Sequence, residues 1–279
     1  RPSGSLRVTL VDVGQGDAEL VDLPDGSLML IDGGGFVGSP VDPGAQVLLR
    51  ARRRSRVDVA VLTHPHPDHL FGLATALQQV EVGEFWDSGY GGPDGAGVEH
   101  RALLALLAQR GIPVRRPAEL CGAVRRFGAA TVEVLGPCPP TAPPARSAND
   151  ASLVLRVRLG ARSALLPGDA ESSAEEALLA RRGGDLRADL LKVGHHGSRT
   201  STGERFLTAV APEIATISTD ARNRYGHPHD ATLQRLAAHR VATYRLDRCG
   251  SVTWTTDGSH ARLQTAGCEP GAAPRPPGR

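Results

Sequence analysis

From Leu6 the chain places its apolar residues in short bursts, LRVTLVDV, AELVDL and LMLID, separated by the turns GQGD and PDG. Brief apolar runs divided by tight glycine turns predict three strands of a meander. After GSPVDPG the pattern changes: AQVLLRARRR has helical composition, and VDVAVLT is a strand ending at a histidine-rich stretch. Further helices are predicted at LFGLATALQQV, VEHRALLALLAQR, SSAEEALLARR, GERFLTAV and ATLQRLAAH. Strands are predicted at GEFWDS, ASLVLRVRL, SALLPGD, ADLLKVG, EIATIST and VATYRLD. Helices alternate with strands while several strands are joined only by turns, so mixed sheets covered by helices fit better than one parallel sheet. The proline-rich GPCPPTAPPARSAND cannot carry a helix and reads as a loop crossing between halves of the fold. No internal repeat is visible.

A length of 279 residues with 40% hydrophobic and 22% charged residues fits one large globular domain. Its expected limits are 6–266, with a flexible start at 1–5 and a disordered Pro/Gly-rich tail at 267–279, above all EPGAAPRPPGR from Glu269. No run of eighteen apolar residues and no export leader is present, so the fragment is expected to be soluble. A net charge of +2 does not by itself indicate a polyanionic partner. The cluster Arg50, Arg52, Arg53, Arg54 and Arg56 reads as the solvated end of a helix. The four cysteines lack C-x-x-C spacing. Cys121 and Cys138 flank a hairpin turning at Gly128–Ala130, and Cys249 and Cys268 flank one turning at Asp257–Ser259. Residues equidistant from a hairpin turn face each other across the strands, which predicts two disulfides and an oxidising compartment. Four free buried thiols are the alternative.

The strongest chemical signal is THPHPDH, which sets His64, His66, Asp68 and His69 within six residues behind an apolar strand. Imidazole and carboxylate are the ligands that borderline divalent metals prefer. The two prolines stiffen the loop. In an extended segment alternate side chains point the same way, so His64 and His66 are expected to grip one ion while Asp68 and His69 turn toward another.

H-x-H-x-D-H after a strand resembles the signature of the metallo-β-lactamase superfamily, and Asp32 in IDGG, Asp169 in LLPGDAE and the pair in KVGHHGS follow in that family's order. The resemblance implies that Asp32 supports the metal-binding loop by hydrogen bonds and that Asp169 bridges two metals. It also implies a histidine ligand for which His195 and His196 compete, with His196 favoured and His195 then facing substrate. Taken singly, Asp32 reads equally as a turn residue and Asp169 as a helix N-cap. DVGQGD, NDASLVLRV, LLPGDAE, LLKVGHHGSRTS and NRYGHP together resemble the soluble domain of the ComEC/Rec2 family of competence proteins, from about Leu6 to Gln264. That resemblance implies an α/β fold, a four-layer αββα sandwich of two mixed sheets. It further implies attachment to a membrane DNA-uptake channel at the extracytoplasmic face, and a nuclease, expected to be an exonuclease, that degrades the strand left outside. One departure stands out: where the superfamily commonly has a third-motif histidine, this chain reads SANDASLVL. Asn149 or Asp150 would substitute, or Asn149 would order the loop; an oxygen ligand in place of nitrogen favours Mn²⁺ over Zn²⁺, with Mg²⁺ also possible.

On this reading His64 and His66 hold one ion, Asp68, His69 and His196 the other, and Asp169 lies between, the two ions activating water for attack on phosphorus. His227 in YGHPH, then His195 and Lys192, are the candidates for assisting the departing oxygen. Ser198, Arg199 and Ser201 are expected to meet substrate phosphates, and Gln15 and Asp17 to lie at the mouth of the site. Only Trp86, Tyr90 and Tyr225 are placed to stack on bases, so backbone contacts to single- or double-stranded DNA, independent of sequence, should dominate. The fragment is expected to be monomeric. Two rival readings keep the same residues: a secreted phosphodiesterase for small molecules or phosphocholine, and a catalytically silent domain that guides DNA.

Overall fold

Strand pairing follows the apolar pattern. The structure, a computed structural model, describes residues 4–35, 44–92, 95–138, 147–265 and 267–268. The meander β1 (Leu6–Leu10), β2 (Glu19–Asp22) and β3 (Leu28–Ile31) continues through β4 (Arg56–Leu62), β5 (Glu81–Asp87) and β6 (Val114–Arg115). With β14 (Val252–Thr256) and β15 (Ala261–Thr265) it makes one sheet in the order β15-β14-β1-β2-β3-β4-β5-β6. A second sheet comprises β7 (Val124–Phe127), β8 (Ala130–Gly136), β9 (Val154–Leu159), β10 (Arg162–Leu166), β11 (Leu190–Lys192), β12 (Ile214–Ile217) and β13 (Ala242–Arg245), in reverse numerical order. Both sheets are mixed: β3, β4, β5 and β6 run parallel, as do β10, β11, β12 and β13, and the remaining pairings are antiparallel.

Alternation along the strands produces the layers. Met29 and Ile31 point into the cluster shared by the two sheets, while Leu28 and Leu30 point outward against α1 (Gly44–Ala51), α2 (Pro67–Leu77) and α3 (Gly97–Gln109). In the second sheet Ala164 and Leu166 face inward, and Leu165 faces the helices α5 (Ser172–Arg182), α6 (Glu204–Val210) and α7 (Asp230–Ala238). Each wholly buried side chain of this size contributes roughly 1.5–3 kcal/mol, and the three apolar layers make the αββα sandwich. Two short helices, α4 (Pro117–Leu120) and α8 (Leu246–Cys249), lead into the edge hairpins. No helix among the described residues is long and apolar enough to cross a membrane.

Both predicted disulfides are formed, Cys121–Cys138 and Cys249–Cys268. The second continues the register of its hairpin, in which Val252 faces Thr265; the first spans an irregularity between Val134 and Gly136. Gly267 donates to the Cys249 carbonyl at 2.9 Å, so residues 267 and 268 are tied to the fold. The remainder of the expected tail, 269–279, lies outside the described residues, as do positions 1–3 of the expected flexible start. Two expectations need correction. The proline-rich connection joins β8 and β9, which are neighbours in one sheet, so it does not cross between halves; its central part, 139–146, lies outside the described residues. The arginine cluster needs correction only in part: Arg50 in the last turn of α1, Arg53 and Arg56 are exposed, as a solvated end would be, whereas Arg52 and Arg54 are half-buried, Arg52 pairing with Asp22 and Arg54 donating to the Gly26 carbonyl.

Candidate metal centre

Parallel strands deliver their C-terminal ends to one edge of each sheet, and the candidate residues sit just beyond those ends: Asp32 after β3, His64 after β4, Asp169 after β10, His195 and His196 after β11. Extended chain continues only as far as His66. Pro67 then opens α2, because a proline at the first helical position forgoes no intrahelical bond. Asp68 and His69 therefore ride on the first helical turn and do not alternate along an extended loop as expected. Glycines let the backbone close on that turn. A Cβ on Gly16 would stand 2.0 Å from the Asp68 carbonyl oxygen, and one on Gly33 would stand 1.9 Å from the Leu73 nitrogen.

The centre of the cluster is Asp169. Its Oδ2 lies 3.3 Å from Nε2 of both His69 and His196, 3.9 Å from Nε2 of His64 and 4.0 Å from Nε2 of His195. Nε2 of His196 is 3.4 Å from Asp68 Oδ2, and Nε2 of His64 is 3.0 Å from Nδ1 of His66. Ligands sharing one tetrahedral ion at about 2.0–2.2 Å sit roughly 3.3–3.6 Å apart. These spacings, and the buried Nε2 atoms of His69 and His196 with no hydrogen-bond partner, fit a divalent cation. Potential ligand atoms of His64, His69 and Asp169, and again of Asp68, His69 and His196, lie within 4.8 Å of one another.

The far sides of the rings are fixed. His69 Nδ1 meets Asp32 Oδ2 at 2.8 Å, and Asp32 also accepts the backbone N–H of Thr63 at 2.8 Å and its hydroxyl at 2.6 Å. His196 Nδ1–H donates to the Ser218 carbonyl at 3.0 Å, which leaves Nε2 for the centre. Asp32, His195 and His196 all carry positive φ (53°, 46° and 53°), a costly conformation for residues with a Cβ and one that concentrates at functional sites. Burial pushes the His69 and His196 imidazoles down, but Asp169 with Asp32 or Asp17 outweighs it and holds both well above their ordinary range. Burial likewise pushes Asp169 up, yet the charges of His196, His69 and Lys192 hold it well below the usual carboxylate range. Burial and the neighbouring His69 push His64 and His66 down. The carboxylates thus draw positive charge inward, a field that a proton or a metal ion answers equally.

The other expected site residues divide. His196, buried and central, is placed as a ligand would be, while His195 is partly exposed with Nδ1 2.9 Å from Glu171 Oε1. Asn149 stands beside His195, Nδ2 to Nδ1 3.4 Å, with its buried Oδ1 unpartnered. His227 lies with its ring 5.4 Å from that of His195; burial and the charges of His196 and His195 push it down to about 4. Four residues expected to meet substrate are enclosed in the structure. Asp17 is wholly buried in an ion pair with Lys192, and Gln15 is 4% exposed. Ser201 is wholly buried and donates to the Gly194 carbonyl at 2.6 Å; Ser198, 5% exposed, bonds Thr200 Oγ1 at 2.8 Å. Lys192, expected near the departing oxygen, is also wholly buried, and the charges of Asp17 and Asp169 keep it protonated against the penalty of burial. Trp86 is buried in the central layer, Tyr90 is partly buried, and Tyr225 is exposed, its ring stacked 5.8 Å from that of His227. Arg199 remains exposed, its backbone N–H held by His229 Nδ1. The sequence reading missed four residues that brace the ligand loops: Ser152 and Glu171, which lie inside NDASLVLRV and LLPGDAE, and Glu175 and Arg235, which carry no motif.

The family model of the metallo-β-lactamase superfamily matches residues 11–222, and the chain belongs to that superfamily, whose fold implies divalent metal ions. Within it the chain is similar to competence proteins of the ComEC type. It is 33% identical over 266 residues to ComE operon protein 3 of Bacillus subtilis (strain 168), covering 90% of this chain and 33% of that protein. It is 41% identical over 104 residues to competence protein ComA of Neisseria gonorrhoeae, covering 37% of this chain and 15% of that one. The chain thus spans a third or less of the length of these relatives. Among solved structures, CmlA, a diiron β-hydroxylase from Streptomyces venezuelae, superposes with a TM-score of 0.55 at 15% identity, over 95% of this chain and 55% of that one. That likeness shows the fold alone.

Proposed function

We propose that this domain is a metal-dependent phosphodiesterase that hydrolyses DNA, an exonuclease without sequence preference that degrades the strand left outside during competence DNA uptake. The observation that carries the reading is the set of ring nitrogens of His64, His69, His195 and His196 within 4.0 Å of Asp169 Oδ2. His64, His66, Asp68, His69, Asp169 and His196 would hold two divalent ions. Such ions supply Lewis acidity: a nucleophile at neutral pH and neutralisation of charge on the phosphoryl oxygens. Asp32 keeps the His69 Nδ1–H engaged so that Nε2 faces the centre. His195 and His227 flank the exposed side, where they are placed to contact the phosphate and the departing oxygen, and Arg199 offers charge to the backbone beyond.

The likeness to competence proteins supports DNA as substrate and a membrane channel in the parent protein as partner. The two disulfides support the extracytoplasmic face. Asn149, with its buried Oδ1 unpartnered, stands where a histidine is common, which favours Mn²⁺ over Zn²⁺. The same substitution favours one rival, a silent domain that guides DNA.

The test is incubation of the purified chain with end-labelled single- and double-stranded DNA, and with a small phosphodiester, in Mn²⁺, Mg²⁺, Zn²⁺ or chelator. Release of mononucleotides in Mn²⁺, abolished by chelator and by Asp68→Ala or His69→Ala, is expected. Full activity of both variants would overturn the assignment. Cleavage of the small diester alone would select a small-molecule phosphodiesterase, and DNA binding without cleavage in any metal would select the guiding role.

A further inference from the structure

Lys192 is the only lysine among the 32 basic residues of the chain, every other one being arginine. It ends β11 and is wholly buried. An ammonium has three donors on one small atom, whereas a guanidinium spreads five over a rigid plane. Three acceptors converge on Lys192 Nζ: the Gly168 carbonyl at 2.9 Å, Asp169 Oδ1 at 3.4 Å and Asp17 Oδ2 in a close ion pair. Donors and acceptors match in number.

The two oxygens of Asp169 are therefore divided. Oδ1 turns to Lys192, and Oδ2 turns to the histidines. The ammonium grips two successive residues, the carbonyl of 168 and the carboxylate of 169, so it restrains the rotation of the Asp169 side chain as well as its charge. Asp17 makes the charge balance local: with Lys192 it forms a pair of no net charge behind the ligand set.

We propose that Lys192 is a positioning residue, which holds Asp169 by Oδ1 so that Oδ2 is presented to a divalent cation, with Asp17 serving as its counter-charge. This rests on the reading of Asp169 as a metal ligand.

The experiment compares Mn²⁺ and Zn²⁺ affinity, by calorimetry and by competition with a chromophoric chelator, alongside the melting temperature of the metal-free chain. Lys192→Met alone strands the buried charge of Asp17 and should lower the melting temperature. Adding Asp17→Asn removes the stranded charge and leaves the net charge of the site as in wild type, so melting should recover. Cation affinity in that double variant should nevertheless stay roughly ten-fold or more below wild type, because Oδ1 of Asp169 is no longer held. Asp17→Asn alone keeps the Lys192–Asp169 contact but removes a carboxylate 3.5 Å from His196 Nδ1 and leaves the ammonium without its counter-charge, so its cation affinity should fall as well. Wild-type affinity in the double variant, whose net charge is unchanged, would overturn the proposal. If the wild-type chain bound no divalent cation, the reading of Asp169 itself would fail, an outcome visible before any variant is compared.

Discussion

On the side of the first sheet, His64, His66, Asp68 and His69 ride on one strand end and one helical turn, and the bracing is mostly backbone. The Gly33 N–H donates to the His69 carbonyl at 2.9 Å, the Gly72 N–H to the Gly34 carbonyl at 2.7 Å, and the Asp17 N–H to the Asp68 carbonyl at 3.2 Å. On the side of the second sheet, His195 and His196 occupy a left-handed turn whose backbone bonds, Ser198 N–H to the His195 carbonyl at 2.8 Å among them, are supplemented by side chains from two helices. Glu175 of α5 accepts the N–H groups of Thr202 and Gly203, and Arg235 of α7 donates to the carbonyls of Ser201 and Thr202 at 3.0 Å. Thr202 in turn accepts the Gly194 N–H at 3.1 Å, next to the histidine pair. Backbone bracing tolerates no added atom. Side-chain bracing tolerates atoms but depends on the charge state of distant groups.

The largest test of this contrast removes a ligand that touches both sides. His69→Ala should lower divalent-cation affinity roughly 100-fold or more and abolish cleavage, read by calorimetry and by the labelled-DNA assay. Asp32→Ala removes the shortest side-chain brace on a first-side ligand, 2.8 Å against 3.2 and 3.4 Å for the hydroxyls of Thr63 and Ser152 on His64, and affinity should fall roughly 10–100-fold. Urea unfolding should show a further cost of about 1–3 kcal/mol for the buried His69 Nδ1–H left without its acceptor. Glu175→Gln acts through Thr202 and Gly194 and should cost less affinity than Asp32→Ala; equal losses would erase the distinction between the two sides.

That distinction also explains what the sequence made legible. Backbone bracing leaves a local trace, since glycines cluster where chains must touch and ligands keep fixed spacing; hence THPHPDH was readable, as were mixed sheets covered by helices and the two disulfides, whereas the four layers and the roles of Asp32 and Asp169 were implied by the family resemblance. Whether Asp68 lay in a loop or a helix turned on Pro67, which fits either, and tertiary contact to Gly33 and Gly34 supports the helical turn. Choosing between His195 and His196 required the Ser218 carbonyl, a backbone group 22 residues away that no spacing reveals. Glu175 and Arg235 look like ordinary solvated positions of amphipathic helices, and Lys192 and Asp17, read as site-facing, are enclosed because the charge of each permits burial of the other.

Glu175 gives the contrast a pH signature. Burial pushes its carboxyl up to about 7 from an ordinary 4.5, against the backbone N–H bonds of Gly203 and Thr202 that pull it back. A carboxyl with a higher pKa folded than unfolded binds more protons in the folded chain between those values. Its contribution to stability is therefore full below pH 4.5 and lost as pH rises through about 7, a fall of roughly 3 kcal/mol. Glutamine does not titrate, so the stability of wild type should decline relative to Glu175→Gln across that window, measured by urea unfolding at closely spaced pH. Parallel curves would mean that the two backbone N–H groups and Arg235 already hold the carboxylate ionised.

Steric tolerance supplies the smallest effects, from one glycine on each side. Gly72 lies inside α2, where alanine would by propensity stabilise the helix by about 1 kcal/mol. Its Cβ, however, would stand 1.9 Å from the Gly33 carbonyl oxygen and 2.7 Å from that of Gly34, both backbone atoms. Overpacking of this kind costs about 1–3 kcal/mol, so Gly72→Ala should lower the melting temperature and weaken cation binding together, because α2 carries Asp68 and His69. At Gly203 the nearest atom to an added Cβ is Glu175 Oε2 at 3.1 Å, the far end of a side chain that can give way. Gly203→Ala should therefore change stability by less than Gly72→Ala and leave cation affinity near wild type. If the order were reversed, the second side would be the rigid one, and the bracing of His195 and His196 would reside in the backbone after all.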